Sequence, residues 1–138
     1  MAQVRLFAVV LLAAVTAGCS MGKDTKQAEH VVDAFRAQMA SGLLGDIYDA
    51  SGDDWKKSIS RVDSDAFLGA VNRKLGVVKS TSQTGWRDNL TTSGHVVVLS
   101  YHTVFEHGDG DESFTVRLDG GHAELSGYHI NSMAMMIR

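Results

Sequence analysis

At Gly76 the spacing of the apolar residues changes, and nothing else in this 138-residue chain limits its fold as much. Ahead of the glycine, Ala28, Val31, Val32, Phe35 and Met39 recur at steps of three and four, which gives a helix one apolar face. Asp24 with Gln27 reads as a capping pair for that helix, and Gly42 as its stop. Leu44, Ile47 and Tyr48 mark a short second helix. A third, capped by Asp63 or Ser64, carries Phe67, Leu68, Val71 and Leu75 up to Gly76.

Beyond Gly76 the period is two, that of a strand with one face buried. Residues 77–89 are rich in Ser and Thr and read as an edge strand. Residues 95–106 give the clearest alternation. Val97, Leu99, Tyr101 and Phe105 share one face; Val96, Val98, Ser100, His102 and Val104 share the other. The stretch "HGDGDE" (107–112) reads as a solvated turn, after which Phe114, Val116 and Leu118 alternate with Ser113, Thr115 and Arg117. Asp119-Gly120-Gly121 is a hairpin signal. In residues 122–131, Ala123 and Leu125 fall out of phase with Tyr128 and Ile130, which puts a bulge at Gly127. Helices first and an antiparallel meander afterwards predict an α+β domain over residues 25–138, with its N-terminal helices packed on a curved sheet of about four strands. The absence of proline speaks against a rigid linker inside it.

The first 18 residues stand apart. Arg5 precedes an unbroken apolar or small run over residues 6–17, about 18 Å long as a helix and too short for a hydrocarbon core of roughly 30 Å. A charged start, a short apolar middle and small residues at the end describe a signal peptide. It closes on Thr16-Ala17-Gly18-Cys19, which resembles the lipobox of bacterial lipoproteins, although Thr16 stands where a larger aliphatic residue is usual. The resemblance implies cleavage before Cys19, acylation of that cysteine, and residues 19–24 as lipid anchor and leash. Ser20 rather than Asp at the next position implies the periplasmic face of the outer membrane. Several acyl chains together make such an attachment stable where one would not. The other reading is ordinary cleavage after Ala17, with Cys19 a free thiol. A catalytic Cys19 is disfavoured, because a mobile terminus cannot hold a thiolate in place.

Charge and motifs exclude more than they assign. Net charge is −3, or −4 once Arg5 leaves with the signal segment, so no nucleic-acid partner is expected. One cysteine rules out an intrachain disulfide. No phosphate loop, dinucleotide fingerprint, His-Glu-x-x-His or Gly-x-Ser-x-Gly occurs. His102 and His129 share a strand face but lack further ligands by spacing, so neither metal nor cofactor is expected. Asp53-Asp54 reads as a loop pair. The Met-rich end "SMAMMIR" is either a contact surface or an extension of the core.

The order of three helices and four strands is similar to the cone-shaped fold of nuclear transport factor two and its relatives. More narrowly, Arg73, Leu75, Gly76, Val78, Gly127, Tyr128 and Ile130 resemble a family of bacterial envelope proteins with no established activity, which usually carries a tryptophan near the start of the last strand where this chain has none. The resemblance implies a cavity at the open end of the cone, with Tyr48, Tyr101, Phe105 and Tyr128 as its ligand-binding residues and no catalytic residue assigned. The expected function is a lipid-anchored, non-enzymatic module that binds a protein partner or small ligand. The alternative is a lyase or isomerase in which a tyrosine works with a base such as Asp46 or Asp49. A homodimer joined through Val96, Val98, His102 and Val104 is a third expectation.

Overall fold

The helical period builds four helices ahead of the sheet rather than three. The computed structural model describes residues 19–137; residues 1–18, expected from sequence to be a signal segment, lie outside them. In chain order the elements are α1 (Cys19–Ala40), α2 (Leu44–Ala50), α3 (Asp53–Ser58), α4 (Arg61–Leu75), β1 (Val78–Thr91), β2 (Gly94–Phe105), β3 (Gly108–Asp119), β4 (His122–Asn131) and a single closing turn, α5 (Met133–Met136). The strands form one antiparallel sheet in the order β1-β2-β3-β4, curved and not closed. The expected α+β architecture holds.

Its details differ from the expectation in four places. Asp24 caps nothing, because α1 already runs from Cys19 and takes in the segment expected as a leash. Asp53 and Asp54 are not a loop pair: they open α3, where carboxylates suit the positive end of a helix. The cap of α4 is Ser60 rather than Asp63 or Ser64. Its hydroxyl accepts from the Asp63 N–H at 3.1 Å and donates to the Asp63 carboxylate at 2.8 Å. Ser64 is fully buried one turn on and accepts from the Trp55 indole N–H at 3.2 Å. Finally, the solvated turn at 107–112 shrinks to Glu106-His107, and residues 108–112 pair as β3 against residues 101–105 of β2.

The alternation read from sequence decides the core. Val97, Leu99, Phe114 and Val116 are fully buried on the inner face and meet Ala28, Val32 and Phe35 of α1 and Leu68 of α4. Each such Val, Leu or Phe side chain contributes about 1.5–3 kcal/mol relative to exposure. The bulge falls where the phase change puts it: Thr115 pairs with Gly127 but Val116 with Leu125, leaving Ser126 as the extra residue. At the end of α4, Gly76 adopts φ +74°, and a Cβ there would lie 2.9 Å from the Glu106 side chain, so only glycine lets the chain turn into β1.

The two sheet edges differ. Beside β4, the Gly52 N–H donates to the Leu125 carbonyl at 2.9 Å, and Asp54 accepts from Ser126 at 3.0 Å and from Arg117 at 2.6 Å, so α3 is fastened over the bulge. The Arg117 hydrogen bond, then that of Ser126, holds the Asp54 carboxyl below its ordinary pKa. The edge of β1 is open: most of its residues are exposed, Trp86 and Leu90 among them. Among the described residues no helix is long and apolar enough to cross a membrane.

Candidate binding cavity

The inner-face alternation of β3 runs two residues further back than its apolar residues suggest. Leu118, Val116 and Phe114 face the helices, and so does Glu112, whose side chain is 2 % exposed. A carboxylate in that position is costly unless it is paired and hydrogen-bonded. Three groups meet the need. Arg36 of α1 sits 3.0 Å from Glu112 Oε2, Thr103 of β2 donates to the same oxygen at 2.5 Å, and the Tyr128 hydroxyl of β4 donates to Oε1 at 2.7 Å. Arg36 also donates to the Thr103 hydroxyl at 3.4 Å.

Aromatic rings close over this network. The Arg36 guanidinium lies 5.2 Å from the Tyr101 ring centre and 5.4 Å from that of Phe114, within the range of cation–π attraction. Phe35, Phe114 and Tyr128 contact one another with centroids 4.8–5.1 Å apart. Burial, and after it the Glu112 charge and hydrogen bond, push the Tyr128 phenol far above its ordinary pKa. Burial likewise raises Tyr101. Both phenols therefore stay protonated at neutral pH.

A cavity of about 460 Å³ opens beside the network, between the C-terminal ends of α1 and α4 and the end of β2. Its walls are mainly apolar, with Phe35, Met39, Val71 and Phe105 among them; Glu112, Arg36 and Tyr128 supply a polar side and Asn72 lies at the helix ends. Asn72 is held in place by donating to the Met39 carbonyl at 2.9 Å.

Of the residues named from sequence, Phe105 and Tyr128 line this cavity. Tyr101 stands behind it, against Phe114 and Arg36. Tyr48 is elsewhere: its hydroxyl donates to the Ile59 carbonyl at 3.5 Å, and Arg61 and Lys56 lie over its ring. Asp46 and Asp49 are exposed, and Asp49 pairs with Arg61, so neither serves as a base beside a cavity tyrosine. His102 and His129 point away from the helices; His102 is hydrogen-bonded to Asp111, which raises its pKa. Cys19 is the first described residue of α1.

Arg36, Thr103 and Glu112 are the residues that sequence reasoning missed. Thr103 was available from the alternation Tyr101, Thr103, Phe105, and Glu112 from extending that of Phe114 backwards. The glycines around Asp109 and Asp111 hid the strand. No protein-family model matches the chain, and no curated protein matches it.

Proposed function

We propose that the chain is a lipid-anchored bacterial envelope protein, held through Cys19 at the periplasmic face of the outer membrane, and that its domain binds a small ligand without transforming it. The anchor rests on the sequence Thr16-Ala17-Gly18-Cys19. The binding reading rests on one observation: the 460 Å³ cavity is walled mainly by apolar side chains, while the buried Glu112 on its polar side is satisfied by Arg36, Thr103 and Tyr128. That volume falls in the range of small-molecule pockets, roughly 300–1,000 Å³. Because Glu112 balances Arg36, the cavity offers an occupant no uncompensated positive charge. It suits a mainly apolar or amphipathic molecule, oriented by the polar side.

Native mass spectrometry of the chain isolated gently from the envelope tests this reading. An added mass that persists in the wild type and vanishes in Val71→Trp, which fills the cavity, is the expected result. A bare chain in both cases overturns the small ligand and leaves a protein partner, a second copy included. For the homodimer, Val98→Asp on the exposed sheet face abolishes the dimer if that face joins two chains. The anchor is tested by the acylated mass of the N-terminal peptide and its loss in Cys19→Ser.

A second reading is favoured by the Tyr128–Glu112 hydrogen bond at the cavity wall: a proton-transferring lyase or isomerase with Glu112 as base. Glu112 would have to release Tyr128, Thr103 or Arg36 to accept a substrate proton. Turnover of the bound molecule that is lost in Glu112→Gln would establish the enzyme over the binding module.

A further inference from the structure

Histidines meet carboxylates at several places on this protein, and geometry separates one from the rest. At His102 the two ring nitrogens face different partners: Nδ1 lies 2.8 Å from Asp111 and Nε2 3.3 Å from Asp109, so the carboxylates share no common point. His122 faces Glu124 alone. At His95 two carboxylates converge on a single nitrogen. Nε2 is 2.6 Å from Asp88 Oδ1 and 3.9 Å from Asp24 Oδ2, and the three donor atoms lie within 4.8 Å of one another. Among the described residues no other three such side chains meet as closely.

The three residues come from α1, β1 and β2 and are brought together by packing. Asp88 pairs with inner-face Val97 and His95 with inner-face Leu118, so both point beneath the first turns of α1, where Asp24 meets them. All three are mostly sheltered, with side chains 12–23 % exposed. A cavity of about 600 Å³ opens alongside, lined by Asp24, His95, Gln27 and Arg117 among others, and gives access from solvent.

We propose that Asp24, Asp88 and His95 bind one divalent transition-metal ion of the zinc class. Zinc takes imidazole nitrogen and carboxylate oxygen at roughly 2.0–2.2 Å, which sets tetrahedral donors about 3.4 Å apart. The observed 2.6 and 3.9 Å to the imidazole bracket that spacing, so relative to His95 Asp88 draws back by about 0.8 Å and Asp24 closes by about 0.5 Å. Two carboxylates turned toward one imidazole are mutually repulsive, and a dication compensates both. The imidazole donor selects against calcium and magnesium, which take oxygen ligands. Water from the adjoining cavity fills the fourth position. The ion ties the start of α1 to the β1–β2 hairpin.

Calorimetric titration of Zn²⁺ into the EDTA-stripped full chain tests the site. One ion per chain is expected, with Asp88→Asn and His95→Gln each weakening binding by roughly tenfold or more, the scale seen even for residues that only support a ligand. His102→Gln leaves it unchanged. Zn²⁺ raises the melting temperature of the wild type and not that of His95→Gln. Absence of binding, or binding that Asp88→Asn and His95→Gln leave unaltered, overturns the proposal. Should either variant lose its circular dichroism spectrum, Asp24→Asn, at the longer of the two contacts, carries the same comparison.

Discussion

Two charged clusters lie beneath α1, about 18 Å apart along its axis at 1.5 Å per residue, and they are built on opposite plans. At the Arg36 end one cation meets one carboxylate, two hydroxyls donate to that carboxylate, and aromatic rings pack against the network. At the Asp24 end two carboxylates meet one imidazole and an open recess lies alongside. The first is balanced within the chain and shapes the wall of a cavity. The second has an excess of acceptors and asks for something from outside. The difference shows that burial of charge is informative chiefly when its partners are counted.

Removing half of the closed cluster should have the largest effect. Glu112→Ala leaves the largely sheltered Arg36 without its carboxylate and costs about 3 kcal/mol in urea unfolding, the lower end of the range for breaking a buried pair. The double variant Arg36→Met, Glu112→Leu, which replaces the pair by apolar groups, recovers most of that loss. A single variant within 1 kcal/mol of the wild type would break the comparison, because the network would then be no more essential than a surface pair.

Tyr128→Phe removes one donor to Glu112 and costs about 1 kcal/mol. In the wild type, ultraviolet titration should show the Tyr128 phenol ionising only with unfolding, as burial and the adjacent carboxylate dictate. A Tyr128 that titrates in the folded protein like a free phenol would mean that the ring is wetter than its packing indicates.

His95→Gln, measured without metal, should cost about 1 kcal/mol, the net worth of the one short hydrogen bond to Asp88. A much larger loss would make this cluster a structural ion pair like that of Arg36 and Glu112. The smallest effect belongs to the sheet's outer face. The Asp111 hydrogen bond raises the pKa of His102 in the folded state. Because the folded value exceeds the unfolded one, the stabilising contribution is full below about pH 6.5 and fades as pH rises through the folded value. Asp111→Asn should therefore lower the His102 midpoint in a proton NMR titration. An unmoved midpoint would remove the ion pair from the account.

How much of this was legible depends on the range over which each residue is decided. Ala28, Val32 and Phe35, like Val97, Leu99, Phe114 and Val116, declare their faces through neighbours two to four positions away, so periodicity alone assigned the elements that carry them and the apolar core between. The bulge near Gly127 was legible for the same reason, as a break of phase within one strand. Asp53-Asp54 and residues 108–112 were misleading because small and acidic residues suit turns, helix starts and strand ends alike. The choice among them was made by contacts far away in the chain: α3 by Arg117 and Ser126, and β3 by its pairing with β2.

By itself, then, the sequence determined the order of helices and sheet and the inward faces of α1, α4, β2 and the apolar part of β3, all of which are written within a few residues of one another. Only the tertiary structure decided that Glu112 is buried beside Arg36 and Tyr128, and that Asp24, Asp88 and His95 share one point. Those arrangements join elements separated by tens of residues, and a side chain's electrostatic partners are set by where the packed backbone brings them rather than by what lies next to it in the chain.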